Sequence, residues 1–402
     1  MLFFVMDPNR LGHLDVILPL VYELKSRNAK ISLHIVYTCR DQYDLLKKNE
    51  ILFDIAQSLG KVSFVSLPNK INSKFIKAIL SKIFFIFLLP SLLPLAFNRR
   101  SIYLCSNSVE GFRCKFIHYL NKINGGKTYT YMATISSHRE CYRRYFYDDG
   151  SPRQEFLERK KRHEINAADG LLIYNKDNIQ YLKTIGYYNF KIIGYPLLYD
   201  NFRQFLRENY SKYLKNEIHK YGKQDKNIYI SIFINKFWGR WAGRDMDWLR
   251  ETLTSAIKCI KIQNPSALIL VRPHPTLSEE KLNEIFAKYN EKDIIITYLH
   301  PSIMALASKY VISIAQSTTF MHVMSMGTPY IEYGLMQQRT YEIFPEGSLF
   351  AEFGTIVAKN EEELTLALQG LIHREPGINQ FNKLLNHQTD LSLFESYRSL
   401  PN

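Results

Sequence analysis

Short apolar runs and amphipathic segments alternate along most of this chain. Leu2–Met6 is apolar throughout and stops at Asp7. Residues 14–24 then repeat apolar side chains at helical spacing, and residues 30–37 are again strand-like. The order strand, loop, helix, strand is typical of the start of a parallel α/β sheet. The same pattern predicts further strands at residues 62–67, 102–105, 128–133, 170–174 and 191–196.

A polar stretch at residues 198–226 separates this series from a second one. We expect it to be helical and to connect two domains, residues 1–197 and 227–402. Strands that alternate with helices favour parallel sheets covered on both faces. The predicted fold class is therefore α/β, with two Rossmann-like domains whose parallel sheets face a cleft. In the second domain, strands are predicted at 227–234, 267–271, 294–297, 310–314 and 330–333, and helices at 248–263, 279–289, 302–308, 319–326 and 361–371.

The composition is that of a folded protein of a reducing compartment. Hydrophobic residues make up 46% of the 402 and charged residues 22%, which excludes a disordered chain. The five cysteines contain no CxxC pair, which argues against a disulfide framework and a structural zinc site. The first residues lack the basic region and long apolar run of a signal peptide. We therefore expect a cytoplasmic protein, soluble or peripheral on the inner face of the cell membrane.

The positive charge is concentrated in one part of the chain. The formal net charge is +14, from 52 Lys and Arg against 38 Asp and Glu, and residues 74–163 hold 17 basic and 6 acidic side chains. Residues 83–97 carry no charge, but this run is shorter than the ~20 residues of a spanning helix and contains Pro90 and Pro94. Two interpretations stay open: residues 74–100 bind an anionic membrane surface, or the run is a core helix ending at Pro90. No zinc finger or RNA-binding aromatic motif is present, so no nucleic-acid partner is expected.

Three adjacent hydroxyl residues, Ser317, Thr318 and Thr319 (the hydroxyl triplet), follow a predicted strand directly. In open α/β sheets, ligands bind beyond the carboxyl ends of strands. Hydroxyl groups and free backbone N–H groups at the following helix start would form an anion site. Simple helix capping by the same hydroxyls is an equally good interpretation.

A second polar motif, Arg272-Pro273-His274-Pro275, also follows a predicted strand. The prolines restrict the backbone and therefore where the imidazole points. His274 is suited to hydrogen bond a phosphate or to act as a general acid toward a leaving phosphate. Arg272 either adds positive charge there or caps the sheet edge.

Two adjacent carboxylates, Asp148 and Asp149, precede Gly150. One of them is a candidate general base, because a second negative charge nearby raises a carboxyl pKa. An ordinary Asp-Asp-Gly turn explains the same residues. No Asp-x-Asp triplet or histidine cluster accompanies the pair, so no metal site is predicted.

The order Asp-Asp-Gly, His-Pro and Ser-Thr on two Rossmann-like domains resembles the bacterial sialyltransferases and polysialyltransferases. That resemblance implies the GT-B glycosyltransferase fold, a CMP-linked donor and no required metal or other cofactor. It implies Asp149 as the catalytic base beside Asp148. It also implies that His274 assists the departing phosphate and that Ser317 and Thr318 hold it. The first domain would then bind the acceptor and the second the nucleotide sugar.

Other parts of the sequence resemble enzymes with different donors. The two strand-ending motifs, together with residues 326–333, are also similar to CDP-glycerol glycerophosphotransferases and other surface-polysaccharide enzymes. Residues 168–196 resemble the end of the first domain in many GT-B enzymes. In a GT-B arrangement, Gly12 and His13 would face the acceptor, although a tight turn with a capping histidine fits as well. Glu332 would suit a ribose hydroxyl of the donor.

The predicted function is an inverting, metal-independent glycosyltransferase. It would move sialic acid or a related acidic sugar from a CMP donor to a hydroxyl of a bacterial cell-surface glycan or lipid-linked oligosaccharide. Arg272, His274, Pro275, the hydroxyl triplet and Glu332 would bind the donor. The first alternative is a GT-B enzyme with a UDP-sugar or CDP-glycerol donor. It would act in capsule, lipopolysaccharide or teichoic-acid-type polymer synthesis, or as a sugar epimerase. The second alternative is a non-catalytic glycan- or membrane-binding protein.

Overall fold

The computed structural model divides the chain into two compact units. Unit one comprises Met1–Phe202 and His387–Asn402, and unit two comprises Arg203–Asn386. The residues that the structure describes are 1–8, 11–65, 88–98, 100–106, 109, 111–131, 151, 154, 157–158, 168–174, 176, 179–184, 187–235, 237, 243–274, 277, 279–286, 293–336, 338–348, 350–372 and 390–395.

The sheet of unit one has seven parallel strands in the order β3-β2-β1-β4-β5-β6-β7. The first strand lies third from one edge, so the chain builds outward on one side and then on the other. This is the crossover topology of a Rossmann-like unit. The strands are β1 (Leu2–Met6), β2 (Ser32–Tyr37), β3 (Gly60–Phe64), β4 (Ser101–Ser106), β5 (Lys127–Tyr131), β6 (Gly170–Ile173) and β7 (Phe190–Ile192).

Helices connect these strands. The predicted helix around Pro19 is continuous over Leu11–Arg27, with the proline inside it. The polar stretch after residue 198 is also helical, and this helix runs across the division between the units. The helices are α1 (Leu11–Arg27), α2 (Arg40–Lys48), α3 (Glu50–Leu59), α4 (residues 88–97), α5 (Gly111–Ile123), α6 (Ile179–Thr184) and α7 (Asp200–Lys220), with a 3₁₀ turn at Pro196–Leu198.

The uncharged run at residues 83–97 is described only from residue 88 onward. Leu88, Leu92 and Leu95 of α4 are buried against Phe4 and Tyr103 of the sheet. One face of this helix is therefore core, but the helix continues through Pro90 and Pro94 to residue 97, so the predicted end at Pro90 was wrong. Among the described residues, no helix is long and apolar enough to cross a membrane.

The sheet of unit two has six parallel strands in the order β10-β9-β8-β11-β12-β13. Its first strand again lies inside the sheet, with two strands on one side and three on the other. The strands are β8 (Tyr229–Ile234), β9 (Leu268–Arg272), β10 (Ile294–Ile296), β11 (Tyr310–Ile314), β12 (Tyr330–Tyr333) and β13 (Ile356–Ala358).

Two helices of unit two begin with a side-chain cap from Asp or Asn. Asp245 accepts a hydrogen bond from Trp248 N at 2.9 Å, and Asn360 accepts one from Glu363 N at 2.9 Å. Such side-chain acceptors satisfy backbone donors that the first helical turn leaves open. The helices are α8 (Met246–Gln263), α9 (Glu279–Phe286), α10 (Pro301–Ala307), α11 (Phe320–Met326), α12 (Gln338–Ile343) and α13 (Glu361–Leu368), with a 3₁₀ turn at Ala351–Phe353.

The last part of the chain lies with unit one, although the sequence pattern placed residues 227–402 together. A short helix, α14 (Ser392–Glu395), brings Phe394 within 5.6 Å of Phe3 and 6.0 Å of Tyr129, measured between ring centroids. Both rings belong to the first sheet. Aromatic packing of this kind explains why a distant segment joins this unit.

Candidate functional site

The carboxyl edge of the unit two sheet collects the polar motifs. His274 follows β9, Asn235 follows β8 and the hydroxyl triplet follows β11. Because β8 lies between β9 and β11, and neighbouring strands are about 4.8 Å apart, the two motif-bearing strand ends are roughly 10 Å apart. This separation suits the two sides of a single phosphate-containing ligand.

The hydroxyl triplet begins after a backbone kink. Ala315 has a φ of 64°, a left-handed conformation that is uncommon for a residue with a Cβ. After it, Ser317 Oγ accepts a hydrogen bond from Thr319 N at 3.2 Å, and Thr319 precedes α11 without making a side-chain cap. Among the described residues, no acceptor pairs with the backbone N–H groups of Ser317 and Thr318. All three residues are half-buried, and Thr319 Oγ1 is itself buried without a hydrogen-bond partner among the described residues. The candidate donors of this loop are therefore the hydroxyl and backbone N–H groups of Ser317 and Thr318.

Asn235 holds this kink in place. Its Nδ2 donates to Ala315 O at 3.0 Å and to Ser313 Oγ at 2.5 Å, and its side chain is buried. Ser313 Oγ also donates to Ala315 O, at 2.7 Å. The left-handed residue is thus fixed by two side-chain donors, one from β8 and one from its own strand. No local sequence pattern predicts these contacts, because they join positions about 80 residues apart.

A segment at residues 344–354 packs against the start of α11. Gln316 Nε2 donates to Gly347 O at 2.8 Å. Phe350 stacks on Phe320, with ring centroids 4.4 Å apart and an interplanar angle of 13°. The same segment contains Ser348, which is buried.

Glu332 is buried on β12, the strand next to β11. It pairs in register with Ser313 and is 1% exposed, and neither carboxylate oxygen has a hydrogen-bond partner among the described residues. Burial raises the pKa of Glu332 to about 8, while the nearby Ser348 hydroxyl acts in the opposite direction without reaching hydrogen-bond geometry. The carboxyl is closed to solvent, so the structure does not bring it to the surface beside Ser317 and Thr318.

Arg272 and His274 have different surroundings. Arg272 Nε donates to Leu299 O at 3.1 Å and thereby fastens the loop after β10 to the end of β9. The sheet-edge interpretation of Arg272 accounts for this contact. His274 is half-buried, and its backbone carbonyl accepts from Leu277 N at 2.9 Å in a turn. Pro275 lies outside the described residues.

In unit one, Gly12 and His13 lie in the first turn of α1 rather than in a loop. His13 is buried, and its Nδ1 is 3.0 Å from the hydroxyl of Tyr131 at the end of β5. This pairing favours a structural histidine. Asp148, Asp149 and Gly150 lie outside the described residues, so their roles remain a sequence-based prediction.

A polar network that the motif search missed lies at the carboxyl edge of the unit one sheet. Asp7 follows β1 with a φ of 44°, and its carboxylate accepts from Thr38 N and Thr38 Oγ1, each at 2.5 Å. Arg113, near the start of α5, donates to Thr38 Oγ1 at 3.4 Å. The sequence could have indicated this network only through position, because Asp7 and Thr38 each directly follow a strand.

No family model and no curated protein match the chain. Solved structures do match it. An Arabidopsis thaliana UGT complexed with UDP has 9% sequence identity and a TM-score of 0.54, over 98% of this chain and 99% of that one. A putative UDP-N-acetylglucosamine 2-epimerase from Listeria monocytogenes has 12% identity and a TM-score of 0.52, over 96% and 91%. A variant of the wall teichoic acid polymerase TagF with CDPG has 13% identity and a TM-score of 0.51, over 100% and 84%.

These likenesses bear on the fold. They extend over nearly the whole chain, and the chain has two Rossmann-like units with parallel sheets of seven and six strands. Identities of this size carry no information about substrate. The α/β fold class is confirmed, and the protein has the GT-B fold.

Proposed function

We propose that this protein is an inverting glycosyltransferase that uses a nucleotide-linked sugar. The observation that carries the proposal is the placement of His274 and the hydroxyl triplet after β9 and β11, at one edge of a Rossmann-like sheet. This edge is where open α/β sheets bind ligands. The GT-B fold, which also occurs in structures complexed with UDP, supports the same conclusion.

The donor phosphate is held by Ser317 and Thr318 through their hydroxyl and backbone N–H groups. Asn235 keeps the loop in its binding geometry through Ala315 O. Arg272 contributes by fastening the loop after β10, and Pro275 restricts the backbone that carries His274. Glu332 is 1% exposed, so it reaches a ribose hydroxyl only after a rearrangement that exposes its carboxylate.

The reaction is a single in-line displacement. Asp149, with Asp148 beside it, takes the proton from an acceptor hydroxyl as the new oxygen–carbon bond forms at the anomeric carbon. The bond from that carbon to the phosphate oxygen breaks on the opposite side. His274, Ser317 and Thr318 stabilise the charge on the departing phosphate, so the scheme calls for no metal.

We propose CMP as the nucleotide and sialic acid or a related acidic sugar as the group transferred. Support comes from the Asp-Asp-Gly motif, since the strand-ending motifs are shared with enzymes that use other donors. UDP and CDP-glycerol are the competing donors, because structures with this fold have been solved with UDP and with CDPG. The acceptor is a hydroxyl of a bacterial surface glycan or glycolipid, bound near Gly12 and His13. We place the protein in the cytoplasm, peripheral on the inner membrane face.

A donor panel tests the proposal. The chain is incubated with CMP-sialic acid, UDP-N-acetylglucosamine or CDP-glycerol and a mixed glycolipid acceptor, and release of the nucleotide is followed. We expect turnover with the CMP donor. Asp149→Asn should lower the rate at least about 100-fold, the range of a lost general base, and the adjacent Asp148→Asn should lower it less.

Turnover with UDP-N-acetylglucosamine alone would replace the donor and keep the enzyme class. Turnover with CDP-glycerol alone would indicate glycerophosphate transfer, with CMP as the leaving group, in place of glycosyl transfer. No turnover with any donor, or a full rate in Asp149→Asn, would contradict the proposed chemistry. A glycan-binding protein without catalytic activity would then account for the fold.

A further inference from the structure

Helix α4 has two apolar faces, and only one of them is used by the core. Leu88, Leu92 and Leu95 are buried, at 0%, 1% and 0% exposure. Leu89, Leu93 and Phe97 are 44%, 47% and 81% exposed. Their spacing of four residues puts them on one side of the helix. This second stripe is therefore an apolar surface that the fold leaves uncovered.

Helix α5 has an exposed stripe with the same spacing. Lys115 is exposed, Tyr119 is 60% exposed and Ile123 is 81% exposed. On the opposite side of the helix, Ile117 is fully buried in the same core cluster as Leu88. The exposed stripes of α4 and α5 thus belong to two helices that pack on one core.

The C-terminal turns of the two helices are in contact. Asn124, directly after α5, donates from Nδ2 to Leu95 O at 3.4 Å. Phe97 is two residues beyond that acceptor and Ile123 is next to the donor. These two side chains are the most exposed large hydrophobic residues among those described. The two exposed stripes therefore approach each other at the C-terminal ends of α4 and α5. We call Leu89, Leu93, Phe97, Tyr119 and Ile123 together the apolar patch.

The surroundings of the apolar patch are basic. Residues 88–127 contain six Lys and Arg but a single acidic residue, Glu110. Lys115 and Lys122 are both exposed on α5 beside Tyr119 and Ile123. Exposed apolar side chains bordered by cations match an anionic bilayer, which offers hydrocarbon below a negatively charged surface.

We propose that the apolar patch, with Lys115 and Lys122, docks this protein on an anionic lipid bilayer. The apolar side chains enter the boundary between headgroups and acyl chains, and the two ammonium groups contact lipid phosphates. The docking surface lies on both α4 and α5. The uncharged run at residues 83–97 gave no indication that α5 takes part. Docking needs no nucleotide, so its failure would leave the proposed glycosyl transfer untouched.

Vesicle flotation of the full chain tests this docking. We expect it to float with vesicles of phosphatidylcholine mixed with phosphatidylglycerol, but not with phosphatidylcholine alone, and less at high salt. Phe97→Ser/Ile123→Ser should weaken partitioning at least about tenfold, since two apolar side chains leave the membrane. Lys115→Gln/Lys122→Gln should weaken it roughly thirtyfold on anionic vesicles.

Ile262→Ser is the matched control. Ile262 is 63% exposed on α8 of unit two, so its replacement removes the same side chain as Ile123→Ser at a site away from the patch and should leave flotation unchanged. All variants change exposed side chains, and an unchanged melting temperature confirms folding. Failure of the native chain to float, or native-like flotation of Phe97→Ser/Ile123→Ser, would overturn the proposal. Concentration-dependent dimerisation that this double variant abolishes, without lipid binding, would show instead that the patch joins two copies of the chain.

Discussion

At the scale of single residues, the position of a polar residue after a predicted strand identified candidate ligand-binding residues, but it did not predict their burial or their hydrogen-bond partners. The hydroxyl triplet, Arg272 and His274 were selected because each follows a strand, and the structure puts them at one sheet edge. The contact of Arg272 with Leu299 O and the burial of Glu332 depend on the folding of distant segments. Local pattern carries no information about such long-range contacts.

Replacement of Asn235 should distinguish an effect on the conformation of the loop at residues 315–319 from an effect on the free energy of unfolding. Asn235→Ala removes both hydrogen bonds that its Nδ2 makes and should cost about 1–3 kcal/mol of unfolding free energy. It should also weaken nucleotide binding, because Ala315 loses one of its two side-chain donors. Ser231→Ala is the control: this buried serine on the same strand bonds Ser308 at 2.7 Å, away from the strand ends. Urea unfolding and calorimetric titration should show a stability loss in both variants and an affinity loss in Asn235→Ala alone.

The buried carboxyl of Glu332 should make stability fall as pH rises. Its folded-state pKa is about 8 against an ordinary value of 4.5, so the folded protein keeps a proton that the unfolded chain releases. The contribution to the unfolding free energy is present below pH 4.5 and is lost progressively up to about pH 8, at roughly 1.4 kcal/mol per pH unit. Glu332→Gln should flatten this slope, whereas Glu362→Gln, an exposed acid on α13, should not. Parallel profiles for native protein and Glu332→Gln in urea unfolding would contradict the assignment.

At the scale of elements, strands with a clear apolar pattern were predicted well. The strands at Leu2–Met6, Tyr310–Ile314 and Tyr330–Tyr333 are confirmed with the same limits. The three-residue β13 (Ile356–Ala358) was missed, whereas the equally short β7 and β10 were predicted. Helix α4 shows a different difficulty, since an apolar run does not reveal which of its faces the core will use.

Gly334, directly after β12, lies too close to Trp248 to accept a larger side chain, and one pair of variants tests this. Gly334 has a φ of 108°, and a Cβ there would meet Trp248 of α8 at 2.8 Å. Gly327, after α11, has a φ of 83° with nothing within 4 Å of a Cβ. Gly327→Ala should cost only the left-handed strain, about 1 kcal/mol. Gly334→Ala should cost at least 1 kcal/mol more, because overpacking adds roughly 1–3 kcal/mol. Equal midpoints in urea unfolding would show that Trp248 does not limit this position.

At the scale of the whole molecule, alternation of strands and helices sufficed to predict two Rossmann-like units, and the structure confirms them. The return of the C-terminal helix to unit one was beyond that pattern, since it rests on the rings of Phe3, Tyr129 and Phe394. The donor is a finer property still. The proposal of a CMP-linked donor depends on Asp148 and Asp149, which lie outside the described residues. It also depends on polar groups at the carboxyl edge of the unit two sheet, where GT-B proteins bind several different nucleotides.

Calorimetric titration of the full chain with CMP, UDP and CDP tests the central claim most directly. We expect CMP to bind, and Ser317→Ala/Thr318→Ala to weaken its affinity at least about tenfold through the loss of two hydrogen bonds to a charged phosphate. Thr254→Ala, whose hydroxyl on α8 bonds Arg250 O at 2.7 Å, should bind as the native chain does. Native-like CMP affinity in Ser317→Ala/Thr318→Ala, or no binding of any of the three nucleotides, would contradict a donor site at the ends of β9 and β11.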